Sequence, residues 1–171
     1  MPLLRNAVRP GWDEPLVSTL TSLVETTGGL AVFACAAADR IPVSLINSGL
    51  IEHPATGRPV VAHVAYGDSR RVARLAVAPH CSLTWHDGRK WLATEGRSEL
   101  VFGPWDKRAA DNHPELRFDE EQYSGLLRTI YRSAGGSEHP DWPEFDAAMR
   151  REQRVAVLVE IDRLYGIHWE D

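Results

Sequence analysis

Cysteine is scarce in this 171-residue chain: Cys35 and Cys81 are the only two, and no CxxC pair exists. A disulfide framework is therefore excluded, and both residues, in apolar surroundings, are expected to be buried free thiols. The seven histidines form neither HxH nor HExxH, so no metal is expected. No apolar run approaches the roughly 20 residues that a bilayer span needs, and no apolar core follows a basic segment near the start. A cytoplasmic protein, with no membrane partner, is the expectation. Basic charge is thin: 19 Lys+Arg against 24 Asp+Glu leave a net charge of -5. That balance argues against a nucleic-acid surface, which draws on broad basic coverage. Walker loop and nucleophile elbow are both missing. Without repeats, low-complexity tracts or linkers, residues 1–171 read as a single domain with one core.

What is present is mostly strand. Leu16, Leu20, Leu23 and Val24 recur at helical spacing and predict a helix over 13–26, ended by Gly28-Gly29. "LAVFACAAA", "IPVSLINSGLI" and "PVVAHVAY" then read as strands. "CSLTWH" and "KWLATEGRSELVF" follow, joined at Asp87-Gly88, a strong hairpin signal. Trp85 and Trp91 flank that hairpin and are expected to pack across it. A helical insertion is predicted at about 105–153. Its first helix spans 118–134 with Asp119 and Gln122 as a capping pair; the second carries Phe145, Ala148 and Met149 inward behind Asp141 and Glu144. "VAVLVEIDRLYGI" returns to strand. A local meander closed by a distant last strand predicts a mainly β fold with flanking helices, a six-stranded antiparallel barrel.

The stretch "GDSRRVARLAVAP", residues 67–79, concentrates arginine in an acidic chain. A helix starting near Ser69 places Val72, Leu75 and Ala76 toward the barrel and Arg71 with Arg74 on another face, with Arg70 able to join Arg74. Helix-end amides, the Ser69 hydroxyl and guanidinium forks together can grip one anion. A solvated helix whose arginines pair with acidic residues is the alternative reading.

"GDSRRVARLAVAPHCSLTWHDGRKWLATEGRSELV" resembles the central part of the split-barrel flavin/deazaflavin oxidoreductases, the pyridoxamine 5'-phosphate oxidase-like superfamily with an FMN-binding-like split barrel. "TIYRSAGGSEHPDWPEFDAAMRREQRVAVLVEIDRLYG" resembles their C-terminal portion, and the likeness is closest to the actinobacterial group that uses coenzyme F420. The resemblance implies an F420-dependent oxidoreductase passing a hydride between the reduced deazaflavin and an unsaturated organic acceptor. An FMN-dependent oxidoreductase of the same fold, or a non-catalytic flavin, haem or tetrapyrrole carrier, are the alternatives. It implies a homodimer with cofactor sites at the interface, and a small-molecule acceptor.

Carried over by position, Arg71 and Arg74 fall on the cofactor phosphate, Ser69 opens the helix and Arg70 joins the set. "RIPVSLINSG" takes the place of a ring-side strand, with Pro42 fitting the pattern and Ile46 and Asn47 departing from it. Ser44 and Asn47 are candidate lining residues, although simple alternation puts them on opposite faces. His63 is read as a core or interface histidine or as a ring-side contact. Trp169, late in the chain, is expected to dock near the ring or to lie loose. Arg40, Arg58 and Lys90 could extend an anion groove if the fold brings them to one mouth. No acid or base residue is singled out.

Overall fold

The structure is a computed structural model that describes residues 3–8, 14–88, 90–135 and 138–167. Strand β1 (Leu3–Val8) precedes helix α1 (Glu14–Thr26), which stops at Gly28-Gly29 as the sequence predicts. Strands β2 (Leu30–Cys35), β3 (Val43–Asn47), β4 (Gly49–Glu52) and β5 (Pro59–Tyr66) lead to α2 (Arg70–Val77). The β6 (His80–Asp87) and β7 (Lys90–Val101) hairpin comes next. Two 3-10 turns, α3 (Glu120–Ser133) and α4 (Trp142–Arg151) then precede the long β8 (Arg154–Ile167). No helix among the described residues is long and apolar enough to cross a membrane.

Seven strands form one antiparallel path, β3-β2-β6-β7-β8-β5-β4, and β1 pairs with β8 outside it. The expected six becomes seven because "IPVSLINSGLI" breaks at Ser48 into β3 and β4, which lie at opposite ends of the path. One residue separates those ends in the chain, so the sheet must curl until they meet: a half-barrel. Ser48, fully buried, is held there by its amide and its hydroxyl, both donating to the Gly29 carbonyl. Gly49 follows because a Cβ would stand 2.2 Å from the Ser133 backbone of α3. The β1 strand carried no sequence signal that singled it out.

Two cores share β5 and β8. Inside the curl, Phe33, Val61, Leu83, Trp85, Leu92, Val157 and Val159 meet Leu20 of α1 and Val72 and Leu75 of α2. On the outside, Val60, Ala62, Ala156 and Leu158 pack under Tyr123, Leu127, Ile130 and Phe145 of α3 and α4. Burial on both faces explains why these strands read as unbroken apolar runs. The Tyr123 hydroxyl donates toward the Val101 and Arg154 carbonyls and accepts from the Ala156 amide, tying α3 to the paired ends of β7 and β8.

Two local expectations are corrected. Trp85 and Trp91 do not pack together, because the register sets Trp85 against Leu92 and Trp91 against His86. Adjacent register positions face opposite sides: Trp85 lies in the inner core, and Trp91 meets Tyr165 edge-on at 6.2 Å. The Asp119 and Gln122 capping box forms in full. At α4 only half of one does: Asp141 caps the Glu144 amide, while its own amide donates to Nδ1 of His139.

Candidate functional site

Helix α2 begins as its sequence dictates. The Ser69 hydroxyl accepts from the Val72 amide at 3.3 Å, and Ala73 donates to the Ser69 carbonyl. Helix geometry leaves the Arg70 and Arg71 amides without an intrahelical acceptor. The preceding turn is clamped from two sides. Gly67 lies so close to Gln153 that a Cβ would be 2.4 Å from its carbonyl oxygen. Its own carbonyl accepts from Arg108, whose guanidinium is forked onto Asp106 and stacked 4.3 Å over Phe102. The Arg108 hydrogen bonds hold the Asp106 carboxyl below its ordinary range.

A cleft of about 650 Å3 opens beside α2, within the range that small-molecule sites occupy. Its lining brings together Ser44 and Asn47 of β3, Ser69, Arg71 and Arg74. Both β3 residues reach it despite alternation because β3 is an end strand of the sheet, and the cleft wraps around that end. Ser44 accepts from the Arg71 guanidinium at 2.9 Å, and Asn47 donates to the Gly28 carbonyl. Arg71 also lies 5.3 Å over the Phe33 ring. Burial lowers the Arg71 pKa and the neighbouring Cys35 opposes it, yet a guanidinium stays charged. Among the described residues neither Arg71 nor Arg74 has a carboxylate partner.

Other candidates fall elsewhere. Arg70 is exposed and does not line the cleft. Arg40 and Arg58 pair with Asp39 and Glu160, and neither they nor Lys90 reach it. Trp169 lies outside the described residues. His63 is fully buried in the inner core, its ring 5.2 Å from Phe33, with no hydrogen-bond partner on either nitrogen among the described residues. The cleft lining does not include it.

Burial, with the Arg71 charge as the lesser cause, pulls the His63 imidazole from 6.5 down to about 3. Between those values the unfolded chain binds the proton and the folded one does not. The stability of the neutral form is therefore complete above 6.5 and is lost as pH falls toward 3, at about 1.4 kcal/mol per pH unit. Urea unfolding from pH 7 to 4 should show that decline, and a folded His63→Leu variant should lose that share of it. An unchanged slope in the variant would reject the assignment.

Two parts of the cleft, Arg154 and Cys35, were not singled out as such in the sequence, whereas the late helices that wall its other side carry the apolar faces their spacing predicts. Arg154 opens β8 and reaches the lining because Tyr66 and Arg154 are register partners. Its guanidinium lies 3.4 Å over the Tyr66 ring, with Nε on Glu152. The opposite wall is apolar: Ile130 and Tyr131 of α3, Ala134 just past its end, and Phe145 and Met149 of α4. Tyr131 is braced edge-on by Phe145 and Trp142. Cys35 completes the floor. No carboxylate or histidine lines the cleft among the described residues, so it suits binding an anion with an apolar body better than acid–base chemistry.

No family model and no curated protein matches the sequence. Solved structures do match in fold. A conserved hypothetical protein of Mycobacterium tuberculosis superposes with a TM-score of 0.62 at 16% identity, covering 97% of each chain. A candidate pyridoxamine 5'-phosphate oxidase from Listeria innocua gives 0.54 at 10%, over 89% of this chain and 98% of that one. An F420 reductase gives 0.53 at 14%, over 92% and 98%. At such identities the shared property is the fold, a mainly β half-barrel with flanking helices.

Proposed function

We propose that the cleft holds a flavin-type cofactor, coenzyme F420 in first place, and that the protein is an oxidoreductase passing a hydride to or from an unsaturated organic acceptor. The observation that carries this reading is the half-buried Arg71 guanidinium, which has no carboxylate partner among the described residues and shares one cleft with Arg74 and Arg154. A cation in that position is completed by an anionic ligand. When bound, such a cofactor supplies the hydride-carrying ring itself. The chain's part is to bind, orient and keep water out. Arg71, Arg74 and the open amides at the start of α2 take the phosphate, and Ser44 aims Arg71. Tyr131, Phe145 and Met149 form the apolar wall that narrows acceptor choice.

Three guanidiniums exceed what one phosphate monoester requires, which supports F420 with its phosphodiester and glutamyl tail. The placement of Arg40, Arg58 and Lys90 away from the cleft favours FMN as the second reading. Separate titrations with F420 and FMN decide between them. Tighter F420 binding, with a preference that shrinks as salt rises, is expected. Equal binding at low salt, or FMN copurifying in near-stoichiometric amount, would overturn the F420 reading. Binding without acceptor-dependent oxidation of the reduced cofactor would instead mark a carrier.

A homodimer belongs to the same reading. Leu30 and Val32 of β2 and Val43 and Leu45 of β3 are 41–66% exposed, and the register sets Val32 opposite Leu45. With exposed Ile41, they make an apolar face beside the cleft, which Val43 and Leu45 also border. Sedimentation should show a dimer at micromolar concentration and a monomer for Leu45→Glu. A wild-type monomer with intact cofactor binding would count against this arrangement.

A further inference from the structure

Cys35 on β2 and Cys81 on β6 stand directly opposite each other in the antiparallel register. Cys35 spends its amide on the Pro42 carbonyl toward β3. In an antiparallel strand the amide and carbonyl of one residue point to the same side, so Cys35 faces Cys81 across a non-hydrogen-bonded site. Such partners have Cα atoms about 4.5 Å apart, their side chains closer than at hydrogen-bonded sites, and a disulfide spans roughly 4.4–6.8 Å. Both side chains point into the inner core, 4% and 7% exposed. Only Cys35 also lines the cleft.

We propose that Cys35 and Cys81 are a reversible dithiol/disulfide site, entered from the ligand cleft, with Cys35 as the sulfur that reacts first and Cys81 as the one that resolves it. The assignment does not depend on which cofactor the cleft takes. Cys35 comes first because an oxidant entering the cleft meets its sulfur, which lines the cleft together with the Arg71 guanidinium. Cys81 lies behind it, outside the cleft lining, where burial, and secondarily Cys35 itself, push its thiol up to about 12.

With hydrogen peroxide as oxidant, the Cys35 sulfur attacks one peroxide oxygen and the O–O bond breaks. Cys35 becomes a sulfenic acid, and the departing hydroxide takes the former thiol proton as water. The Cys81 sulfur then attacks the Cys35 sulfur; the S–S bond forms, the S–O bond breaks, and the leaving hydroxide takes the Cys81 proton as a second water. Two thiols and one peroxide give one disulfide and two waters. A small-molecule dithiol reverses the bond by exchange.

Intact-mass measurement on the folded wild-type protein tests this without any variant. Peroxide should cause a loss of about 2 Da, restored by dithiothreitol, with peptide mapping joining Cys35 to Cys81. In folded Cys81→Ser, Cys35 should be trapped as an oxygen adduct, while Cys81 in folded Cys35→Ser should stay unmodified under the same exposure. An unchanged wild-type mass, a disulfide between two chains, or oxidation of Cys81 in Cys35→Ser with Cys35 spared in Cys81→Ser would overturn the proposal.

Discussion

Replacing Arg71 and Arg74 together by alanine is expected to weaken binding of F420 or FMN by about a hundredfold to ten-thousandfold. Each charge-assisted contact to a phosphate contributes about 1.5–3 kcal/mol, and the two together make that range. Folding should survive the change. Among the described residues Arg71 is held only by the Ser44 hydroxyl and the Phe33 ring, and none of them offers its half-buried charge a carboxylate to compensate its desolvation. Removing such a charge relieves a cost rather than breaking a support. Arg70→Ala, outside the cleft, serves as the control and should change affinity far less. Titration calorimetry beside thermal denaturation separates the two effects. Unchanged affinity for both cofactors in the folded double variant would remove the anion site.

Gly29→Ala should cost about 2–5 kcal/mol of stability, the sum of a left-handed backbone strain of about 1–2 and an overpacking cost of about 1–3. Gly29 has φ +75, and an added Cβ would stand 2.3 Å from the Ala134 carbonyl oxygen and 2.9 Å from that of Ser48. Both are backbone atoms, which cannot swing aside. The contact joins the start of β2, the break between β3 and β4, and the end of α3, whose Tyr131 and Ala134 line the cleft. A fall in melting temperature of roughly 5–15 °C is expected. Gly57→Ala is the matched control, with φ +66 and nothing within 4 Å of a Cβ. If Gly29→Ala costs no more than Gly57→Ala, the close packing at this junction does not constrain the fold.

Much of the architecture was legible because short-range rules govern it. Helix α2 has its serine cap and its apolar and basic faces written at spacings of three and four, so Arg71 and Arg74 could be placed on one face from sequence alone. The same holds for the Asp87-Gly88 hairpin and for the capping box of α3. The break at Ser48 was not legible. It depends on Gly29 and Ser133, which approach Ser48 and Gly49 only once the sheet has curled.

By itself the sequence determined a mainly β chain with an amphipathic arginine helix, since cap, period and turn chemistry act within a few residues of each other. Only the tertiary structure decided that Arg154 joins Arg71 and Arg74, that His63 is buried behind Phe33 outside the cleft lining, and that Cys35 faces Cys81. Those outcomes follow from strand order and register. Pairing between distant segments is set by how two cores fill on either side of β5 and β8, and one residue of register moves every side chain to the other face.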